Sequence, residues 1–122
     1  MVVEIAPRDT LTEAEIDAIF QALADATRRD IVARVLVREQ SVSTLAASYA
    51  MSFAAVQKHV AVLERAGIIT KARRGREQIV HGNARTIESA RGLLERYEEL
   101  WRHRIARIDD LLSTEGDRHA HS

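Results

Sequence analysis

Apolar residues recur at helical spacing along most of the chain, and one stretch interrupts that period. Ile16, Ile19, Phe20 and Leu23 mark the first helix, and Thr12 with Glu15 has the spacing of a reciprocal capping box at its start. Asp25 and Thr27 interrupt the pattern, and either can cap a second helix carrying Ile31, Val32, Val35 and Leu36 as its apolar stripe. Ser41 or Ser43 can cap a short third helix that holds Leu45 and Ala46. Ser52 can cap a fourth, with Val56, Val60 and Leu63 on one face and Gly67 suited to the left-handed position after its end. Ile68–Thr70 and Gln78–His81 are then rich in β-branched residues and flank Arg73, Arg74, Gly75 and Arg76, which reads as a β-hairpin. Helical spacing returns from about Ala84 to Leu112 through Ile87, Ala90, Leu94, Tyr97, Trp101, Ile105, Ile108 and Leu112. The expected organisation is an N-terminal arm over 1–11, one domain over 12–112 and a polar, disordered tail over 113–122.

The formal net charge is zero, which by itself argues against a polyanionic partner. The distribution changes that picture. Residues 1–26 hold six acidic side chains and one basic, whereas residues 51–85 hold seven basic and two acidic. Salt confines charge effects to about 8–10 Å, so a polyanion responds to the local field and the middle of the chain is the anion-facing surface. A length of 122 residues suits one compact domain. No run of about 18 apolar residues is present to span a bilayer. The opening MVVEIAPRDT lacks the basic-then-apolar pattern of a signal peptide, and the absence of cysteine excludes disulfides and thiolate metal sites. These features suggest a cytoplasmic protein.

Short helices, a tight turn, a capped helix and a basic hairpin, in that order, describe a winged helix-turn-helix. The expected fold class is mainly α with a small β-hairpin, ordered α-α-α-α-β-β-α, with a long C-terminal dimerisation helix. The chemistry follows from groove geometry. A helix fits the major groove of B-DNA with its N-terminal residues at base edges, while the preceding helix crosses the backbone. Ser52, Phe53, Ala54, Gln57, Lys58 and His59 are the candidate reading residues, and Lys71, Arg73, Arg74 and Arg76 supply cations for phosphates. Phe20–Val32 (FQALADATRRDIV) and Ser43–Gly75, with the string VQKHVAVLERAGII, resemble the ArsR/SmtB family of bacterial repressors. That resemblance implies an obligate dimer built from the first and last helices, repressing from a partly palindromic operator.

The departures bear on what is sensed. Members that bind soft metals often carry two cysteines at positions that here resemble Ser41 and Ser43, and others use paired histidines on the last helix, which here holds His103. No metal or cofactor is therefore expected, and a small-molecule effector stays open. His119 and His121 have a spacing able to hold a metal weakly, but read more simply as tail residues. Ala50 occupies the turn position where the family usually has glycine. Arg28 and Arg29 either touch phosphate or pair with Asp25 or Asp30.

A helix over 84–112 is roughly 43 Å long at 1.5 Å per residue, more than so small a domain spans. Leu94, Tyr97, Trp101, Ile105, Ile108 and Leu112 continue its apolar seam, and Ile16, Ile19 and Leu23 of the first helix are the expected second wall of a homodimer interface. Tyr97 and Trp101 alternatively line a ligand pocket between protomers. No serine, histidine and carboxylate constellation proposes an enzyme. The function expected is sequence-specific binding of double-stranded DNA by a dimeric repressor, without membrane contact. The alternative is a winged-helix module that binds protein, whose face would be more apolar than the Gln57-Lys58 surface and its basic hairpin.

Overall fold

The computed structural model describes residues 11–121, with side chains through Thr114. The chain divides into two compact units, Met1–Ala90 and Arg91–Ser122. The expected N-terminal arm lies outside the described residues except for Leu11, which packs against the core of the first unit.

In the first unit, α1 (Glu13–Leu23) starts at the predicted capping box. Glu15 N–H donates to Thr12 Oγ1 at 3.1 Å, and Thr12 N–H donates to Glu15 Oε1 at 2.8 Å. Asp25, not Thr27, caps α2 (Ala26–Val37), its carboxylate accepting from Arg28 N–H at 2.9 Å. Ser41, not Ser43, caps α3 (Val42–Ala47) by accepting from Thr44 N–H at 3.0 Å. Ser52 caps α4 (Phe53–Arg65). Each cap satisfies an amide that the first helical turn leaves without an internal partner. The end of α4 is a Schellman motif: Gly67 N–H reaches Glu64 O at 3.0 Å and Ile68 N–H reaches Leu63 O at 3.1 Å. Gly67 sits at φ 77°, a conformation that a side chain would strain.

Two features of the sheet differ from the sequence reading. A two-residue strand, β1 (Gln40–Ser41), precedes α3 and pairs antiparallel with the hairpin of β2 (Ile69–Arg74) and β3 (Glu77–Gly82), giving the strand order β1-β3-β2. The element order is therefore α-α-β-α-α-β-β-α; a strand of two residues carries no period by which to predict it. The hairpin strands β2 (Ile69–Arg74) and β3 (Glu77–Gly82) also run longer than expected, so Arg73 and Arg74 belong to β2 and only Gly75 and Arg76 form the turn. Gly75 has φ 64° and Arg76 does not have a positive φ, the pattern of a two-residue turn with glycine first.

The core gathers Ile19 and Ala22 of α1, Ile31, Val32 and Val35 of α2, Leu45 of α3, Val56, Val60 and Leu63 of α4, and Ile68, Ile69 and Val80 of the hairpin. Leu36, expected on the buried stripe of α2, is instead exposed. Ile87 and Ala90, at the start of α5 (Ala84–His121), pack against the same core.

The second unit is the remainder of α5. The helix runs to His121 instead of stopping near Leu112. Polar residues remove the apolar pattern that marks a helix in sequence, but they do not terminate one. Leu94, Tyr97, Leu100, Trp101, Ile105, Ile108, Leu111 and Leu112 are all exposed in the single chain.

Candidate nucleic-acid interface

Helix α4 has two unlike faces. Val56, Val60 and Leu63 point into the core, while Phe53, Ala54, Gln57 and Lys58 are exposed, with Ser52 beside them as the cap. No acidic residue lies in the first turn of α4, so its N-terminal end offers unpaired amides and a positive dipole without a competing carboxylate. The side chains of Gln57 and Lys58 take part in no hydrogen bond or ion pair among the described residues.

The turn leading into α4 accepts Ala50 without penalty. Ser48 is in a right-handed conformation, Tyr49 N–H bonds Ala46 O at 3.2 Å, and no non-glycine residue has positive φ among the described residues. The left-handed position for which glycine is needed is absent from this turn. Tyr49 anchors it from the other side. Its hydroxyl donates to Asp30 Oδ2 at 2.5 Å, and the Arg34 guanidinium lies 5.4 Å over its ring. Burial, reinforced by the Asp30 bond, pushes the Tyr49 phenol up to about 12, and the same bond, followed by that from Arg34, holds the Asp30 carboxyl below its usual range.

Arg28 and Arg29 answer the sequence question in a third way. Arg28 Nε donates to Ala22 O at 2.7 Å, its NH2 group to Gln21 O at 3.1 Å, and Arg29 NH1 donates to Leu23 O at 2.8 Å. Both guanidiniums close the C-terminal carbonyls of α1. Neither makes a side-chain hydrogen bond or close ion pair with Asp25 or Asp30 among the described residues, although the Arg28 charge acts on the Asp25 carboxylate from a longer distance. Arg28 NH1 also lies 3.4 Å from His59 Nδ1, and Asp25 Oδ2 lies 3.9 Å from the same nitrogen. His59 thus joins α4 to the α1–α2 corner and is half-buried there.

The wing cations differ in their engagement. Lys71 Nζ lies 3.5 Å from Glu64 Oε1, which ties β2 to the last turn of α4. Arg74 NH2 and His81 Nδ1 meet the two oxygens of Glu39 at 3.2 and 2.8 Å. Arg73 Nε donates to Gly75 O at 3.2 Å across the turn. Arg76, at the tip, has no side-chain partner among the described residues. The sequence reading missed Glu39, Glu64 and Tyr49, since partners distant in the chain leave no spacing signal.

Of the two serines at the soft-metal positions, Ser43 is exposed. Ser41 is buried, accepts from Thr44 N–H and donates to Thr44 Oγ1 at 2.9 Å. Among the described residues, no group of three or more His, Cys, Asp or Glu is disposed to hold a metal ion. His119 and His121 lie beyond the described side chains.

The HTH-type transcriptional regulator Rv2034 of Mycobacterium tuberculosis is 31% identical over 101 residues, spanning 83% of this chain and 92% of that protein. An ArsR-like transcriptional regulator from Rhodococcus sp. RHA1 superposes with a TM-score of 0.72 at 31% identity, covering 80% of this chain and 92% of its own. The chain belongs to the ArsR family of transcriptional regulators. No family model matches it. The likeness extends to a homodimeric winged helix-turn-helix DNA-binding domain from Mycobacterium bovis, with a TM-score of 0.57 at 20% identity, a level that speaks for the fold alone. For this ArsR-family regulator the winged helix-turn-helix reading of the sequence holds, with β1 as its addition.

One expected interface residue of the ArsR-family chain is misplaced. Ile19 is 2% exposed and belongs to its own core, so it cannot form an outer wall. Ile16 and Leu23 are half-buried, Leu23 against the same core. Phe20, one residue on from Ile19, is 41% exposed and presents the larger outward apolar surface of α1.

Proposed function

We propose that this regulator is a dimeric repressor that binds a partly palindromic operator, with the exposed face of α4 in the major groove and the wing on adjacent phosphates. The observation that carries this is the N-terminal half of α4. Its first two turns expose Phe53, Ala54, Gln57 and Lys58, its first turn has open amides and no carboxylate, and the helix is followed by the basic hairpin. Gln57 suits a bidentate pair with adenine and Lys58 reaches guanine or phosphate. Ser52 flanks them, and His59 positions the helix through Arg28. Arg76 and Arg73 at the hairpin tip meet phosphate directly, whereas Lys71 and Arg74 exchange Glu64 and Glu39 for phosphate on binding.

Leu94, Tyr97, Trp101, Ile105, Ile108 and Leu112, together with Ile16 and Leu23, form the dimer contact in this reading. Exposed large apolar side chains along α5 support it. Tyr97 and Trp101 serve the dimer core. The reading calls for no cofactor, catalytic step or membrane contact, and it places the protein in the cytoplasm with an effector still to be identified. Ser41 and Ser43 offer hydroxyls where a soft metal needs thiolates, so zinc, copper and arsenite leave the complex intact.

The test is selection of genomic DNA fragments on the purified protein, followed by titration of the recovered operator at several salt concentrations. If a dimer neutralises about six to ten phosphates, log K falls against log salt with a slope of roughly −5 to −9. A slope near zero, or recovery of no common sequence, overturns the proposal.

A further inference from the structure

The outer face of α4 is more apolar than groove contact through hydrogen bonds requires. Phe53, the first residue of the helix, is 47% exposed, and Met51, two residues earlier, is also exposed. Ala54 follows on the same outward face. Helix starts are ordinarily polar, and here the polar role is filled by Ser52, whose hydroxyl is engaged with Ala55 N–H at 3.1 Å. The exposed Phe53 and Ala54 side chains are therefore not needed for that capping bond, and they lie outside the core. It sits one turn before Gln57 and Lys58 and has no acidic neighbour in the first turn of the helix.

In the major groove the apolar feature of a base edge is the C5-methyl group of thymine, and phenyl and methyl side chains contact it. We infer that Phe53, with Ala54 beside it, reads thymine 5-methyl groups in each operator half-site, so that part of the specificity is carried by apolar contact instead of hydrogen bonds. The inference rests on the DNA-binding reading above and deepens it by naming the base feature that is recognised. Gln57, one turn further along the same face, then reads an adenine within the same A·T-containing stretch.

The experiment alters the DNA and leaves the protein intact. In the selected operator each thymine of one half-site is replaced in turn by deoxyuridine, which removes only the methyl and preserves pairing and charge. Binding is followed by fluorescence anisotropy with wild-type protein and with Phe53→Ala. At one or two positions the wild type loses affinity about threefold to tenfold per methyl removed. The salt slope is unchanged, and in Phe53→Ala the same substitutions cost less than about twofold. Wild-type affinity that is indifferent to every deoxyuridine overturns the inference while leaving DNA binding intact. So does an operator whose half-sites lack thymine, or a penalty of equal size in Phe53→Ala. Failure to bind any selected DNA overturns the underlying reading instead.

Discussion

The guanidinium of Arg28 donates to two carbonyls of α1 and approaches His59 of α4, so a single side chain joins three helices. The last carbonyls of a helix have no internal donors, and leaving them partly buried without partners costs about 1–3 kcal/mol. Arg28→Ala is accordingly expected to lower the unfolding free energy by about 1–3 kcal/mol in urea titration; an unchanged midpoint would refute the role assigned to it. Asp25 gives a pH-dependent counterpart. The Arg28 backbone N–H first, and the positive charge of the Arg28 guanidinium after it, hold its carboxyl below the usual carboxylate range. A depressed carboxyl contributes stability that is present above its unfolded value and is lost as pH falls through the lower folded one. Asp25→Asn keeps a capping oxygen and removes the charge. Thermal melts should show the wild type ahead at neutral pH and the two proteins converging below about pH 4. A gap independent of pH would assign the whole effect to geometry.

At the level of elements, α4 and the hairpin divide the labour proposed for them according to what each leaves free. Gln57 and Lys58 lie free on a helix whose other face is core, so their replacement by alanine should damage discrimination between operator and random DNA more than general affinity. Removing a bidentate pair with a base costs about 1–3 kcal/mol of discrimination. Arg73, Arg74 and Arg76 stand on a hairpin, and their combined replacement should weaken all sequences evenly. The salt slope should flatten by about one unit for every phosphate that is no longer neutralised. Competition titrations at two salt concentrations separate these outcomes; equal proportional losses in both variants would dissolve the division. Because Arg74 is held by Glu39 and Lys71 by Glu64, Arg76 should contribute more than either when the wing residues are replaced singly.

At the scale of the whole molecule, the issue is the apolar seam of α5. Trp101 is 57% exposed in the single chain, and leaving a large apolar side chain in water forgoes about 1.5–3 kcal/mol. A second copy covers the seam in the proposed dimer and holds two α4 helices for two half-sites, so that the second engagement becomes intramolecular. Trp101→Ala with Ile105→Ala should give monomers at low micromolar concentration in analytical ultracentrifugation, with a large loss of operator affinity. A double mutant that stays dimeric, or one that is monomeric with full affinity, would sink this account.

The helices, the Thr12 and Ser52 caps and the existence of the hairpin were legible in the sequence because local rules set them, while the caps of α2 and α3 were narrowed to two residues each. A hydroxyl or carboxylate before an apolar period, a glycine after it and a switch to β-branched residues each act within a few neighbours. The face of α4 was legible for the same reason, since burying Val56, Val60 and Leu63 turns Gln57 and Lys58 outward. Only the tertiary structure decided what depends on partners far apart in the chain. β1 exists because β3 supplies its ladder, and Ile19 is core because other elements close over the position, while Phe20 beside it stays out. Arg28 and Arg29 cap carbonyls because α2 turns back across the end of α1. Glu39 and Glu64 hold wing cations from distant segments. Spacing along a chain encodes periodicity and local hydrogen bonds, whereas these assignments are set by which surfaces meet when the elements pack.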